Sequence, residues 1–437
     1  MFRSRAQIEL NTLWAKRVIE GLPGERDLSI WFDDGNDPIP DVSEWQAVGE
    51  SLATLQPLAR LMDSHWVNGL VYRNHRIPRV DGSTRANLLS QALSKEVEQL
   101  HADDSAWLLF NGHGGRGPDL NNTLELWDRT SLHVSELADL LDQAPIQSRL
   151  RFLFTQCYSG AFAALARPGT RRCGFMAEAS DRKAEGCSAA IGEDDFEDYS
   201  THFFAALAGR SRDGAPLSRN PDRDRDGEVT PLEAHYHTLV TASSTDIPLA
   251  TSEVLLAEWQ PWYLPLAAFL SDGFQTPYGD LARELMMGAG IQDKSAIARQ
   301  RVTLKAQFKE LEKQRMLSLL EGEVRTLRES MKEQLLRRWP EVAHPYTHAF
   351  QRFLVRDMES AQAFILAHPD YSRLVKLQAE LRDLELRLLD LERTITRLDK
   401  IDHLLHLDRV VVLMRTLGPE NLEQRYDNLL QCENEPF

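Results

Sequence analysis

Two short segments of this chain carry residues that could perform nucleophilic chemistry. His113 stands in the sequence Asn-Gly-His-Gly-Gly, and Cys157 stands in Thr-Gln-Cys-Tyr-Ser-Gly. Each segment follows a short apolar run, 106–110 in the first case and 150–154 in the second. Short apolar runs that end at glycine-rich turns are typical of buried parallel strands. Because reactive groups of open α/β sheets lie beyond the carboxyl ends of the strands, we expect a thiol and an imidazole at one sheet edge.

The elements around these segments alternate strand-like and helical patterns. The expected elements are a strand over 28–32, a helix after the start signal at 81–83, a helix over 135–141, a strand over 174–177 and a helix over 199–207. Together with the two apolar runs, this order is typical of a mostly parallel sheet with helices on both faces. We therefore predict an α/β fold, followed by an all-α region that is rich in coiled coil.

The two motifs resemble those of the caspase, metacaspase and legumain superfamily of cysteine peptidases, clan CD, and its bacterial caspase-like members in particular. In that superfamily one strand delivers His-Gly and a later strand delivers Cys, often as Cys-x-Ser-Gly. Here the pair is His113-Gly114 and the segment from Cys157 to Gly160, and the cysteine stands 44 positions after the histidine. The resemblance covers about residues 27–260 and does not include the helices that follow.

The resemblance implies a cysteine endopeptidase. Cys157 would be the nucleophile, and His113 would exchange its proton during attack on the scissile carbonyl. Imidazole suits this role because its ordinary pKa lies near neutrality. The backbone N–H groups of Gly114 and Cys157 would stabilise the oxyanion that develops on the substrate.

The residues that select the substrate are less clear from the sequence. The position two before the nucleophile is Gln in caspases and Asp in many relatives that cleave after Arg or Lys, whereas here it is Thr155. A basic substrate side chain would need a carboxylate from Glu178, Asp181 or the acidic run at 193–195, and an acidic one would need the basic pair at 182–183. Our expectation leans towards cleavage after Arg or Lys.

Residues 222–233 match the twelve-position loop of an EF-hand. The predicted ligands are Asp222, Asp224, Asp226, Glu228 through its backbone carbonyl, Thr230 and Glu233. Hard oxygen ligands at this spacing suit Ca²⁺ or Mg²⁺. Asp-rich loops that end in Glu occur in bacterial caspase-like domains, which favours a structural ion over a switch that orders the catalytic loops. The alternative is an acidic turn without Ca²⁺ that caps the following helix.

Beyond about residue 295 the chain changes character, because glycine nearly disappears and Leu, Glu, Arg and Lys dominate. A heptad seam, typical of a coiled coil, is formed by Leu374, Leu377, Leu381, Leu384, Leu388, Leu391, Ile395 and Leu398. A second, less regular long helix is predicted over 296–338. The two helices could pair within the chain or between chains, and they form either a solvated bundle or an arm that docks a protein regulator.

We place the domains at 1–26, an N-terminal helical extension, 27–270, the peptidase domain, and 271–437, the helical region.

Composition excludes several classes of protein. The formal net charge of −16 argues against a nucleic-acid-binding protein and fits an anionic membrane surface poorly. Four cysteines without a Cys-x-x-Cys pair predict neither a zinc site nor a disulfide framework, so a reducing compartment is expected. The N-terminus has no apolar signal core, and the most apolar stretch, 254–270, is a poor membrane span. We therefore expect a cytoplasmic protein without organic cofactor.

Three functional hypotheses follow. The first is a caspase-like cysteine endopeptidase that acts on protein or peptide substrates and is regulated or targeted by its C-terminal helices. The segments at 166–172 and 209–220 are basic and loop-like, so they are candidate self-cleavage sites. The second hypothesis is a catalytically silent caspase-like adaptor that works through the coiled coil. The third is a Ca²⁺-regulated binding module in which the thiol is incidental. A role in bacterial defence would follow only by analogy with other bacterial caspase-like proteins.

Overall fold

A computed structural model describes residues 4–45, 56–62, 70–185, 198–317, 319–344 and 347–437. The chain forms two compact units. The first, called the sheet unit here, comprises 1–41, 75–301 and 393–437, and the second, called the helical unit, comprises 42–74 and 302–392. This division differs from the predicted boundaries at 26 and 270, because the chain leaves the sheet unit twice and its last residues return to it.

The sheet unit is a mixed α/β structure. Its strands are β1 (Ser4–Arg5), β4 (Ser105–Phe110), β5 (His113–Gly115), β6 (Thr123–Leu126), β7 (Thr130–His133), β8 (Arg149–Phe154), β9 (Arg171–Met176) and β10 (Leu249–Ala250). Its helices are α1 (Ala6–Gly21), α3 (Ala86–Gln99), α4 (Val134–Leu141), α5 (Tyr199–Ala208), α6 (Pro231–Thr241), α7 (Thr251–Glu258), α8 (Ala267–Leu270), α9 (Pro277–Gly288) and α15 (Glu420–Asn434). The numbers β2, β3, α2 and α10 to α14 belong to elements that lie wholly or partly in the helical unit.

The central sheet has four strands in the order β10-β9-β8-β4. Strands β4, β8 and β9 are parallel, and β10 pairs with β9 in the antiparallel sense. Strands β5, β6 and β7 form a separate antiparallel meander. A mostly parallel sheet flanked by helices confirms the predicted architecture at this level, and the strands before His113 and Cys157 are those expected from their apolar runs.

The two faces of the sheet are covered by different helices, as the strand periodicity of two requires. Phe152 and Phe154 point to one face, where they pack in a core with residues of α3 and α4 such as Leu137. Phe175 points to the other face, where its ring contacts Phe203 of α5 at 5.6 Å between centroids. Both faces are therefore buried, which is typical of parallel sheets.

The C-terminal segment is fastened to this second face of the sheet. Cys432 in α15 forms a disulfide with Cys173 in β9. The ring of Phe437 stacks on Trp107 of β4 at 4.4 Å between centroids. Arg151 of β8 donates hydrogen bonds to the backbone carbonyls of residues 435 and 436 at 2.8 and 2.7 Å. The last residues of the chain are therefore part of the sheet unit rather than of a separate C-terminal domain.

The disulfide runs against the expectation of a reducing compartment, because cytosolic glutathione keeps most thiols reduced. Cys157 is buried. Cys187, like the acidic run at 193–195, lies outside the described residues. Among those that are described, no helix is both long and apolar enough to cross a lipid bilayer.

The helical unit contains strands β2 (Val42–Trp45) and β3 (Leu70–Arg73), which pair in the antiparallel sense, and helix α2 (Gln56–Met62). The other helices with residues in this unit are α10 (Lys294–Leu317), α11 (Leu320–Arg338), α12 (His348–Arg356), α13 (Met358–Leu366) and α14 (Tyr371–Leu417). Its core includes Leu58, Leu335, Phe350, Phe353 and Leu374. Within the unit, residues 307–314 of α10 and 386–391 of α14 line one groove, so these helices lie side by side.

The long helices differ in one respect from the sequence expectation. The heptad seam does lie on a single helix, the 47-residue α14. The helix predicted over 296–338 is two helices, α10 and α11, and Leu319 between them has a φ of +54°. A residue in this left-handed conformation ends an α-helix. The local apolar pattern does not predict the interruption.

The predicted first strand at 28–32 is not a strand of the central sheet. Its backbone pairs instead with the turn that precedes α3, where Asp81 N–H donates to Ile30 O at 2.7 Å and Phe32 N–H donates to Gly82 O at 3.1 Å. Only an isolated bridge between Trp31 and Gly82 results. An apolar run predicts burial, but it does not choose the pairing partner.

We predict that reduction of the disulfide destabilises the sheet unit. Because residues 173 and 432 are 259 positions apart, the bond restricts a very long loop in the unfolded chain, and its loss is expected to lower the free energy of unfolding by about 2–4 kcal/mol. Urea unfolding of wild type and Cys432→Ser with and without reductant measures this. The variant should not respond further to reductant, and peptide mapping without reductant should recover residues 173 and 432 joined. Unlinked peptides from air-exposed protein would contradict the pairing.

Candidate active site

The parallel pairing of β4 and β8 decides where the candidate catalytic residues lie. The last paired residues are Phe110 and Phe154. His113 follows Phe110 by three positions, and Cys157 follows Phe154 by three positions. The ladder continues one step further, because Thr155 N–H donates to Phe110 O at 3.0 Å. Both residues therefore follow the sheet at the same edge and at the same distance from the last paired residues.

Gly114 lies directly against the backbone of the cysteine. A Cβ atom built on Gly114 would stand 2.1 Å from Cys157 O and 2.6 Å from the Cγ of Gln156. Since real Cβ atoms do not approach a carbonyl oxygen so closely, only glycine fits this position. The structure thus brings together three residues that the sequence analysis assigned to catalysis: His113, Gly114 and Cys157.

The turn after Cys157 is held by side-chain and backbone hydrogen bonds. Tyr158 has a φ of +61°, a left-handed conformation that is rare for a bulky residue, and its N–H donates to Arg182 O at 2.8 Å. The side-chain amide of Asn122 donates to Tyr158 O at 3.0 Å and to Ser180 O at 2.9 Å. A 3-10 helix, Ser159–Leu165, follows. These contacts explain how a strained residue persists next to the thiol.

Two cavities meet at the histidine. A small cavity of about 30 Å³ is lined by both His113 and Cys157. A larger cleft of about 420 Å³ is also lined by His113, together with Trp31 and Glu125 among others. Thr155 lines both. A substrate segment in the larger cleft would therefore contact the imidazole first, with the thiol in the recess behind it.

The thiol itself is covered in this structure. Cys157 is 4% exposed, and its Sγ lies 4.0 Å from Ala184 O. A cavity of about 30 Å³ has room for roughly one water molecule. Attack on a peptide therefore requires the segment around Ala184 to move away from the sulphur.

Two carboxylates that the sequence analysis missed line the same recess. Asp198 and Asp246 are both buried and border the small cavity with Cys157. Asp198 is the N-cap of α5 and accepts a hydrogen bond from Thr201 N–H. A capping pattern before the apolar run of α5 could have located Asp198, but it would not have placed it beside the thiol. No sequence signal points to Asp246.

Beneath the recess lies a buried network of charges. Asp246 accepts a hydrogen bond from Glu185 N–H at 2.6 Å, and Arg393 of α14 donates from Nε to the Glu185 carboxylate at 3.0 Å. Burial raises the pKa of Asp246, against the opposing effects of the Glu185 N–H and of Lys400. Burial lowers the pKa of Lys400 to about 8, although Asp246, Glu178 and Glu185 favour its charged form. The part of α14 that belongs to the sheet unit thus supplies cations to the acids of the site.

Of the predicted substrate-pocket residues Thr155, Glu178 and Asp181, Thr155 alone is among the residues that line the two cavities. Thr155 lines the site, as described above. Glu178 is fully buried, accepts hydrogen bonds from the N–H groups of residues 179 and 247, and pairs with Arg182 at 3.3 Å. Burial and Asp246 raise the pKa of Glu178. Asp181 is exposed, and among the described residues that line the two cavities neither Glu178 nor Asp181 is found.

Gln156 is a further residue that the sequence analysis did not assign. It borders the small cavity and is buried, and within the described part of the chain neither its amide oxygen nor its amide nitrogen has a hydrogen-bond partner. An unsatisfied buried amide costs about 1–3 kcal/mol. The Gln156 amide could therefore donate to, or accept from, a molecule bound in this cavity.

The acidic loop at 222–233 has the geometry of a cation-binding turn at its first half. Oxygen atoms of Asp222, Asp224 and Asp226 all lie within 4.8 Å of one another. Asp222 accepts hydrogen bonds from Arg225 N–H at 2.6 Å and from Gly227 N–H at 3.2 Å. The φ of +95° at Gly227 makes the sharp turn that the sequence pattern predicts.

The second half of the loop is engaged in capping a helix. Thr230 is the N-cap of α6, and Glu233 completes a capping box by accepting from Thr230 N–H at 2.9 Å. The other Glu233 oxygen accepts from Arg223 N–H at 2.7 Å, which closes the loop. Glu228 is exposed. Among the predicted carboxylate ligands, the structure therefore groups Asp222, Asp224 and Asp226, while the Glu233 carboxylate is held by backbone N–H groups of the loop and of the helix start.

No family model matches this chain, and no curated protein is similar to it at a significant level.

We predict that Gly114→Ala disrupts the site through a backbone collision. The added methyl group would overlap Cys157 O, so β5 and the thiol turn must separate, at a cost of about 1–3 kcal/mol of unfolding free energy. Gly288→Ala is the matched control, because it lies in α9 with open space around it and no positive φ. Denaturant unfolding of both variants measures the difference. Equal stability of the two would contradict the close approach.

Proposed function

We propose that this protein is a caspase-like cysteine endopeptidase that cleaves protein or peptide substrates. The observation that carries the proposal is the in-register pairing of β4 and β8, which leads His113 and Cys157 into one recess at a shared sheet edge. A thiol beside an imidazole, with a glycine backbone pressed against the cysteine, is what acyl transfer needs. The resemblance in motif order supports the same proposal.

The reaction follows from the atoms in the recess. His113 takes the thiol proton as the sulphur of Cys157 bonds to the scissile carbonyl carbon. The oxyanion is stabilised by the N–H groups of Gly114 and Cys157. The carbon–nitrogen bond then breaks, and the leaving amine receives the proton from His113. Water, deprotonated by His113, hydrolyses the thioester and regenerates the thiol.

Acidic surroundings favour a basic residue on the acyl side of the cut. The small cavity is bordered by the carboxylates of Asp198 and Asp246, and the described residues that border it include neither Lys nor Arg. Once the segment around Ala184 has moved away and widened the recess, both carboxylates would attract a guanidinium or ammonium group that enters beside Thr155. We therefore propose cleavage after Arg or Lys, with Asp246 in the role that sequence reasoning gave to Glu178 or Asp181.

Because the thiol is buried, the segment around Ala184 must open before Cys157 can react with a substrate. This burial also favours the alternative, a catalytically silent adaptor that acts through α14 and neighbouring helices. In either case we propose that the C-terminal helices bind a regulator or a second copy. These two functions differ in whether Cys157 ever reacts.

Only one of the two candidate self-cleavage segments suits processing. Arg172 at 166–172 is buried within β9 and pairs with Asp142 at 2.6 Å, so this bond is protected by the sheet. Arg210 lies in an exposed turn of the 209–220 segment. Processing after Arg210 is therefore the expected event.

The decisive test is hydrolysis by the full-length chain. We expect the protein to cleave peptides after Arg or Lys and its own chain after residue 210, and Cys157→Ala or His113→Ala to lower the rate at least a thousandfold. Mass spectrometry of the products gives the cut sites. Arg210→Gln is the control, since it should block self-cleavage and leave peptide hydrolysis unchanged.

The outcomes separate the two functions. Absence of peptide hydrolysis and of self-cleavage, together with no labelling of Cys157 by a thiol-reactive peptide probe, would favour the silent adaptor. Cleavage after acidic rather than basic residues would retain the peptidase and overturn the proposed role of Asp246.

We also propose that the 222–233 loop binds Ca²⁺ as a structural ion, through the carboxylates of Asp222, Asp224 and Asp226. Asp224→Asn is expected to weaken binding at least tenfold, because it removes one carboxylate from a site that depends on negative charge. Glu228→Gln is the control, since its position contributes a backbone carbonyl only. Titration calorimetry with Ca²⁺ measures both. Equal affinity in the two variants would show that Asp224 is not a ligand, and no Ca²⁺ binding by the wild type would show that the loop is a helix-capping turn without Ca²⁺.

A further inference from the structure

A second cluster of potential ligands lies in the sheet unit and belongs to neither the thiol recess nor the 222–233 loop. It consists of Asp34, Asp41 and His75, whose ligand atoms all lie within 4.8 Å of one another. Asp34 is 5% exposed, Asp41 is 1% exposed and the His75 side chain is 12% exposed. The cluster is therefore almost completely removed from water.

The Asp34 carboxylate is the unexplained group in this cluster. Both of its oxygens are buried, and among the described residues no N–H or hydroxyl group donates to them. Burial and the carboxylates of Asp41 and Asp37 raise the pKa of Asp34, the Asp41 carboxyl also lies within hydrogen-bond reach of it, and His75 opposes the rise. Two acidic groups in a dry site with one imidazole carry more negative charge than the site neutralises, and a buried uncompensated charge is strongly destabilising.

The backbone holds Asp34 in place without help from its side chain. The preceding residue, Asp33, accepts hydrogen bonds at its carbonyl from Ser83 Oγ at 2.7 Å and Thr84 N–H at 2.9 Å. The following residue, Gly35, has a φ of +83°, and a Cβ built there would stand 2.9 Å from Ser83 N. The turn is therefore fixed on both sides, and it presents a carboxylate to which no donor in the described part of the chain is bonded.

Asp41 and His75 are held together by the Asp41 carboxylate. His75 N–H donates to Asp41 Oδ1 at 2.8 Å, and its ring Nδ1 lies 2.8 Å from Asp41 Oδ2. The His75 ring also packs on Phe32 at 5.5 Å between centroids. Two ligands bound about 2.1 Å from a tetrahedral ion lie about 3.4 Å apart, so this pair would have to separate by about 0.6 Å for both atoms to bind one ion.

We propose that Asp34, Asp41 and His75 bind a divalent first-row transition-metal ion, with Zn²⁺ as the reference ion. Two carboxylate oxygens and an imidazole nitrogen suit such ions, whereas Mg²⁺ and Ca²⁺ prefer oxygen ligands only. A dipositive ion would neutralise both carboxylates and supply the partner that Asp34 lacks. Three protein ligands leave a fourth position for water.

The position of the site in the chain suggests a structural role. Asp41 is the last residue of the sheet unit before residues 42–74, and His75 is the first residue after them. An ion bound by both would join the two points at which this segment leaves and returns, and Asp34 would tie them to the turn beside Ser83. The sequence pattern did not reveal the site, because its ligands are not cysteines and because residues 42–74 separate Asp41 from His75.

The test uses the full-length chain, stripped with EDTA and then freed of chelator. Wild type is expected to bind one Zn²⁺ that Asp34→Asn does not bind, with at least a tenfold loss of affinity and loss of the rise in Tm that Zn²⁺ produces. Asp139→Asn is an exposed control in α4, and Asp224→Asn excludes the 222–233 loop; both should bind Zn²⁺ as wild type does. Millimolar Mg²⁺ should not compete.

A second measurement does not depend on a variant that might misfold. Co²⁺ added to the stripped wild type should give visible absorption bands of a nitrogen- and oxygen-ligated ion, and one equivalent of Zn²⁺ should abolish them. Because Asp34→Asn removes a buried charge, its metal-free form should be at least as stable as the wild type. Unchanged Zn²⁺ affinity in this variant, or no Zn²⁺ and Co²⁺ binding by folded wild type, would overturn the proposal.

Discussion

The parallel ladder between β4 and β8 is the constraint on which the candidate site depends. Its register pairs Phe110 with Phe154, so the next residues of each strand leave the sheet at the same level. His113 and Cys157 are brought together by this register alone, because each stands three residues beyond the last pair. A slip of one residue would turn one of them to the opposite face.

The ladder is kept in place by what covers its two faces. On one face Phe152 and Phe154 pack against α3 and α4. On the other, the C-terminal segment is joined to β9 by the Cys173–Cys432 disulfide and to β4 by the stacking of Phe437 on Trp107. The end of the chain therefore supports the strands that carry the thiol, which explains why it belongs to the sheet unit.

Local patterns predicted the individual elements well where a single physical property determined them. The apolar runs before His113 and Cys157 are strands, half-buried in β4 and buried in β8, and the heptad leucines lie on the long helix α14. The wrong predictions concern which backbone a strand pairs with and where a helix is interrupted. The run at 28–32 is extended but pairs with a turn, and the helix expected over 296–338 is interrupted at Leu319. Burial preference does not specify which backbone will supply the hydrogen bonds.

The sequence by itself determined which residues could react, because residue type, strand context and the spacing of His113 and Cys157 are local properties. Tertiary structure decided which charges surround them. Asp246 and Lys400 are distant in the chain from Cys157, and they reach the recess or its floor only because the helices close on the sheet. The same holds for Asp34, Asp41 and His75, since a buried carboxylate without a partner can be recognised only when every neighbouring group is in place.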